Sequence, residues 1–268
     1  MKIAISGAHG YLGKALSDHF AQQGHTLVRL QRNDCPLQQP TIEKIGENCQ
    51  TFIHCAYDMS LSTWEDICRV NIQGTTKLFA LLAEKKIPQV IFISTLSAYP
   101  ACHSNYGRAK YQLEQEALAR GFLVLRPGLI YGGEQRGLIG KLKKICGGRS
   151  LLPLIGSGRQ VQYTTFLPDL LAFISEAVAS ELGSPQAISA AHPRGLTFRT
   201  ILASLSGRKQ ILFIPIPWPL VWFALFLLER MGLRPPFASD SVLGLVYPTT
   251  SADFSSPFCL EKFRPWSA

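Results

Sequence analysis

The sequence predicts an α/β fold, a doubly wound parallel sheet with a smaller C-terminal substrate-binding lobe. Three observations predict it. Apolar residues 3–6 run into a glycine-rich turn and then a helix-forming segment, Ile3-Ala4-Ile5-Ser6-Gly7-Ala8-His9-Gly10-Tyr11-Leu12-Gly13. Strand-like and helix-like stretches then alternate through residue 126, as right-handed crossovers between parallel strands require. Residues 90–93 (Val-Ile-Phe-Ile) and 122–125 (Phe-Leu-Val-Leu) are continuously apolar, as strands buried on both faces should be.

The elements follow in order. A strand at 3–6 leads to a helix at 11–23, which Gly24 ends, and a strand at 26–30 follows. A polar stretch with prolines, 31–40, precedes a short helix-like piece at 41–47 and a strand at 51–55. A long amphipathic helix is expected at 64–85, a strand at 90–94, a helix at 106–120 and a strand at 122–126. These make a dinucleotide-binding domain over 1–130. Residues 131–268 form the lobe, with some elements returning to the sheet. Residues 134–160 are rich in Gly, Lys and Leu; 166–179 read as a helix with Pro168 near its start, and 187–190 as a short strand.

Residues 211–228 carry no charge. Pro215, Pro217 and Pro219 make the first half extended and leave roughly nine residues of helix, too short to span a bilayer. The segment reads as a buried lobe helix, with a peripheral membrane or partner contact as the alternative.

Net charge is +9, hydrophobic residues make up 47% and charged residues only 17%. Basic residues are scattered, apart from Lys141, Lys143 and Lys144. That pattern suits an anionic small substrate or an acidic membrane surface and argues against nucleic acid. Seven cysteines (35, 49, 55, 68, 102, 146 and 259) include no C-x-x-C pair. They read as reduced thiols rather than a metal site or a disulfide framework. The N-terminal apolar stretch reads as a strand and not a signal peptide, so the expected place is the cytoplasm, at a membrane surface if 211–228 touches lipid.

Chemistry enters at the glycine turn. Gly7 permits the tight turn, Gly10 lets backbone approach a pyrophosphate, and Gly13 packs the helix close to the strand. The helix start at Tyr11 and Leu12 offers free N–H groups and a positive dipole end to phosphate. The spacing is G-x-x-G-x-x-G, and a glycine-rich turn in any parallel sheet is the plainer alternative. Two further segments suggest catalysis. Ile93-Ser94-Thr95-Leu96-Ser97 closes a buried strand, and Tyr106-Gly107-Arg108-Ala109-Lys110 opens a helix. Tyr and Lys four residues apart share a helical face. An ammonium there favours phenolate, so Lys110 is expected to lower the pKa of Tyr106. Tyr106 can then exchange a proton with a substrate oxygen that Thr95 also holds.

With these residues in view, the chain resembles the short-chain dehydrogenase/reductase superfamily, in its extended or atypical branch of epimerases, dehydratases and reductases with a Rossmann domain. The resemblance covers about residues 1–133 well. It implies that Thr95 is the catalytic hydroxyl, Tyr106 the general acid/base and Lys110 the ribose-binding, pKa-lowering lysine. Asn71, in Val70-Asn71-Ile72-Gln73-Gly74, matches the family's helix asparagine and joins the catalytic set. Ile53-His54-Cys55-Ala56 is similar to the strand whose end passes the cofactor, which places His54 and Ala56 beside it, although packing at a strand end is the plainer role for His54. Arg126-Pro127-Gly128-Leu129 looks like the loop at the nicotinamide end, which brings in Pro127. Leu96 and Ser97 stand where dehydratases of the branch carry Asp-Glu, which disfavours dehydration. The adenine-side Asp-Leu pair is also missing.

At the end of the second strand the chain has Leu30-Gln31-Arg32 with no carboxylate until Asp34. A guanidinium can fork onto a 2′-phosphate, so Arg32 points to NADP, with NAD as the alternative and a solvated Arg32 as the plainer one. The expected function is an oxidoreductase or epimerase acting on a nucleotide-linked sugar, with no metal. Two alternatives remain: an NADP(H)-binding module without turnover, and a reductase of a lipid-like alcohol or ketone at the membrane surface. The resemblance also allows a homodimer through helices 64–85 and 106–120.

Overall fold

A computed structural model describes residues 1–134, 137–180, 185–233, 235–249, 252–255 and 262–267; Cys259 lies outside them. The chain forms two compact units, Met1–Thr95 with Ala109–Arg126 and Leu170–Ile188, and Leu96–Arg108 with Pro127–Asp169 and Ser189–Ala268.

The first unit begins with β1 (Lys2–Ser6), α1 (Tyr11–Gln22), β2 (Thr26–Leu30) and β3 (Thr51–His54). Helix α2 (Trp64–Asp66), a π-helical stretch Ile67–Ile72 and α3 (Gln73–Glu84) run on without a break, so the single helix expected at 64–85 carries a π-bulge. Then come β4 (Gln89–Ile93), α4 (Asn105–Ala119) and β5 (Leu123–Pro127). The sheet order is β10-β5-β4-β3-β1-β2, where β10 is Ala187–Ala190. Strands β1 to β5 pair in parallel. Ser6 sits in register with Leu30 on one side and with His54 on the other. The strand order therefore reverses at β1, and the crevice beyond the carboxyl ends of β1 and β3 is the place where such sheets bind ligands.

Phe52, Phe79, Phe92, Leu78, Leu82, Val90 and Val124 form a core on one side of this sheet. His54 lies fully buried among those rings, its Nδ1 2.7 Å from the Ser6 hydroxyl and its Nε2 3.3 Å from that of Thr75. Both ring nitrogens are thus engaged within the core. The expected cofactor contact at His54 gives way here to the packing role, because a ring held at both nitrogens has no donor or acceptor left to turn toward a ligand.

The second unit contains β6 (Leu129–Tyr131), α5 (Gly137–Cys146), β7 (Leu151–Ile155), β8 (Val161–Gln162) and β9 (Thr164–Phe166). Helix α6 (Leu167–Ala179) leads back into the first unit. After β10 come β11 (Leu196–Thr197), α7 (Phe198–Ser206), β12 (Leu212–Ile216), α8 (Trp218–Arg230) and α9 (Ser239–Val246). Among the described residues its strands form three pairs, β6 with β9, β7 with β12 and β8 with β11. Ile139, Leu142, Leu152, Leu154, Ile201, Leu202, Leu205 and Leu245 make its core. The prolines do make 212–216 extended, as expected. Helix α8 corrects the expectation of a buried lobe helix, because none of its residues is buried. Helices α5, α7 and α9 already fill the core, and α8 is tethered along one edge. The Glu229 carboxylate accepts from the Ser239 N–H (2.8 Å) and hydroxyl (2.6 Å), and Trp218 meets Tyr247 edge to face.

Burial pushes the pKa of His54 down to about 3 from 6.5. Between these values the unfolded chain binds a proton that the folded chain does not, so stability falls as pH drops through that window. We expect a loss of up to about 1.4 kcal/mol per pH unit from this group. Urea midpoints followed from about pH 7 to pH 5 should show a shallower slope in His54→Gln than in the native chain. An unchanged slope would assign the acid sensitivity elsewhere.

Candidate active site

The glycine turn is built by close approach. Gly7 has φ +68°, and a Cβ there would lie 2.8 Å from the Ala56 nitrogen. A Cβ on Gly13 would lie 2.2 Å from the Gly7 carbonyl oxygen. The first glycine therefore lets β1 turn against the chain leaving β3, and the third lets α1 press onto that turn. Gly10 donates its N–H to the Gly7 carbonyl at 2.8 Å and occupies the cap position of α1 in extended conformation (φ −68°, ψ 168°). That helix start has no side-chain cap hydrogen bond, and no carboxylate in its first turn offsets the positive end of the helix dipole. The Tyr11 and Leu12 side chains are half-buried.

Asn71, fully buried in the π-helical stretch, clamps the loop after β3. Its Oδ1 accepts from the Asp58 N–H (2.7 Å) and its Nδ2 donates to the Asp58 carbonyl (3.1 Å). A π-bulge re-aims side chains within a helix, and here it accompanies an asparagine turned to backbone. Arg32 is exposed, and its guanidinium lies 3.3 Å from the Asp58 carboxylate, which the Ser60 N–H, the Ser60 hydroxyl and Arg32 hold below the usual range against burial. Asp58 is the acidic group at this end of the sheet that sequence reading passed over, because it follows β3 rather than β2.

Thr95 lies half-buried just beyond β4. The chain is held on either side of it. Lys110 is buried and donates to the Ile93 carbonyl at 2.8 Å, with its ammonium 4.6 Å from the centre of the Phe92 ring. Burial pushes this lysine down to about 8, opposed by Cys55 and Glu114. A Cβ on Gly107 would lie 2.3 Å from the Ser97 carbonyl oxygen, so glycine at 107 admits α4 to the backbone that follows Thr95. Ser94 keeps a buried hydroxyl with no partner among the described residues. That orphaned hydroxyl, the glycine cradle and an α1 start with no side-chain cap hydrogen bond and no acidic first-turn residue all suit a polar, phosphate-bearing cofactor.

Tyr106 and Lys110 stand one turn apart on α4, as the spacing predicts. The start of α4 is fastened by a residue far along the chain. One Asp240 oxygen accepts from the Asn105 N–H (2.6 Å) and the other from the Tyr106 N–H (3.0 Å), while the Ser104 hydroxyl accepts from Gly107 (3.1 Å). Nothing in local sequence marked Asp240 for this role. The expected lowering of the Tyr106 pKa is corrected: burial prevails and pushes the phenol up to about 12. Pro127, buried at the end of β5, accepts from the Leu96 N–H at 3.0 Å. Before it, Arg126 pairs with the fully buried Glu114 through two contacts, one of 2.9 Å from Nε.

Comparison with known proteins places this geometry. The NAD dependent epimerase/dehydratase family matches residues 3–180, and the chain belongs to that family. The N-acetyl-alpha-D-glucosaminyl-diphospho-ditrans,octacis-undecaprenol 4-epimerase of Escherichia coli O157:H7 is 23% identical over 174 residues, 56% of this chain and 52% of that protein. The ceramide reductase of Caulobacter vibrioides is 28% identical over 177 residues, 59% of this chain and 55% of that one. The chain thus spans little more than half the length of these relatives. The structure of UDP-glucuronic acid 4-epimerase from Bacillus cereus in complex with NAD superposes with a TM-score of 0.68 at 18% identity, covering 81% of this chain and 86% of the other. The fold is therefore the Rossmann-type fold of the extended short-chain dehydrogenases/reductases.

Gly13→Ala places a methyl group where the Gly7 carbonyl sits. Overpacking of this kind costs about 1–3 kcal/mol, so NADH affinity in a fluorescence titration should fall roughly tenfold or more. Native affinity in that variant would remove the turn from cofactor binding.

Proposed function

We propose that this chain is an NAD(P)-dependent oxidoreductase or epimerase of a nucleotide-linked sugar, working through Thr95, Tyr106 and Lys110 with Asn71 as a positioning residue. The observation that carries the reading is the fastening of α4: Asp240, Ser104 and the Gly107 contact all fix the turn that bears Tyr106. Such over-determination suits a side chain whose placement matters to chemistry.

Bound nicotinamide supplies hydride chemistry. The chain's own residues handle the proton. The Tyr106 phenol is neutral at pH 7, so it can protonate a carbonyl oxygen as that oxygen becomes a hydroxyl in the reductive direction and take the proton back in the oxidative one. The Thr95 hydroxyl holds the same oxygen. Lys110, anchored at the Ile93 carbonyl, offers its remaining N–H donors to the ribose. Gly7, Gly10, Tyr11, Leu12 and Gly13 receive the pyrophosphate, with Ala56 and Pro127 along the cofactor's path. Tyr131, which donates to the Pro265 carbonyl at 3.0 Å and packs on Trp266, belongs to the unit's core rather than to substrate binding. Lys141, Lys143, Lys144, Arg149 and Arg159 are exposed and serve as a solvated face.

Arg32 supports NADP, and the Asp58 carboxylate beside it supports NAD, since a carboxylate binds ribose hydroxyls and repels a 2′-phosphate. A second reading, a lipid-bearing substrate, gains from two relatives: one is named for an undecaprenol-linked sugar and the other for ceramide.

Two measurements test the proposal. Tyr106→Phe should keep cofactor affinity and lose about 10²–10⁴-fold in turnover on a panel of keto-sugar nucleotides; full turnover would exclude Tyr106, and a native chain that binds cofactor without oxidising it on any substrate would point to the binding module. Arg32→Ala should weaken NADPH about tenfold and leave NADH unchanged; equal loss for both would shift the choice of cofactor to Asp58.

A further inference from the structure

Helix α8 is apolar nearly all round, yet it turns one apolar stripe to water. Leu220, Phe223, Leu227 and Met231 recur at helical spacing and form one stripe. That spacing normally faces a core, yet these residues are 63%, 57%, 50% and 67% exposed. The edge of the helix that is held inward is the one bearing Glu229 and Trp218. The strand feeding α8 repeats the pattern. Leu212 and Ile214 of β12 pair with Leu151 and Pro153 of β7, and all four are exposed. Only Pro217 separates β12 from α8.

We infer that α8 and the outer face of the β7–β12 pair dock this protein onto the surface of an anionic lipid bilayer. Length and charge select that occupant. The 13 residues of α8 rise about 20 Å, short of the roughly 30 Å hydrocarbon core, and no helix among the described residues is long and apolar enough to cross a membrane. The helix therefore lies in the interface, where Trp, Phe and Leu insert and basic residues meet headgroups. Arg208 and Lys209 precede β12, and Arg230 ends α8, all exposed; Arg199 lies over the Phe213 ring of β12. Residues 194–246 contain six Arg or Lys against two acids, Glu229 and Asp240, and both acids are bonded within the chain. A second copy is the poorer occupant, because each chain carries a net +9 and basic rims repel each other. The inference stands on these residues alone and holds whether or not Tyr106 is catalytic.

Cosedimentation of the full chain with phosphatidylcholine vesicles, with and without phosphatidylglycerol, tests it. The native chain should bind the anionic vesicles more tightly, and salt should weaken that binding. The triple variant Leu220→Ser, Phe223→Ser, Leu227→Ser removes exposed side chains only, and should lose at least about tenfold in binding while keeping its circular dichroism spectrum. Lys209→Glu with Arg230→Glu leaves the apolar stripe intact and should lose binding to phosphatidylglycerol vesicles specifically. No binding by the native chain, or equal binding by all three forms, would overturn the inference. A native dimer in lipid-free sedimentation that the serine variant converts to monomer, with no vesicle binding, would overturn it in favour of self-association.

Discussion

Everything in the first unit rests on one exclusion of volume. The Gly7 carbonyl oxygen occupies the space a Cβ at position 13 would need, and the chain at Ala56 occupies the space a Cβ at position 7 would need. Two missing methyl groups therefore set how closely α1, β1 and β3 meet at the reversal of strand order. The start of α1 beside this approach carries no side-chain cap hydrogen bond and no acidic residue in its first turn, which is the kind of helix start that suits an anion.

Away from the turn, the sheet buries polar groups and satisfies most of them. His54 is held by Ser6 and Thr75, Lys110 by the Ile93 carbonyl, and Glu114 by Arg126. Charges in such places are costly unless they are paired or neutralised. The chain uses both routes: Glu114 is paired, while burial keeps His54 neutral and weakens the hold of Lys110 on its proton. Among the described residues the Ser94 hydroxyl, next to Thr95, is buried without a partner, as is that of Thr164 in the second unit. Polar groups thus concentrate at the carboxyl ends of β1, β3 and β4, the end of a doubly wound sheet that binds ligands.

The second unit has a different economy. Its core is complete with α5, α7 and α9, and the apolar residues left over stand on α8 and the β7–β12 pair. An exposed apolar face framed by basic residues is the feature from which docking to a bilayer surface is inferred.

The chain's linear order determined much of this protein. Gly7, Gly10 and Gly13, the alternation through residue 126 and the apolar strands at 90–93 and 122–125 announced the sheet, because backbone sterics and strand burial are written in local residue type. Tyr106 and Lys110 were legible for the same reason, since a helix alone puts them on one face. What only the tertiary structure decided depends on neighbours distant in sequence. Asp240 fastens the start of α4 from more than a hundred residues away, Asp58 sits beside Arg32, and burial raises the Tyr106 phenol that Lys110 was expected to lower. The direction in which the α8 stripe faces belongs with these. Periodicity specifies that a stripe exists, and the filling of the core by other helices determines whether it turns inward or toward water.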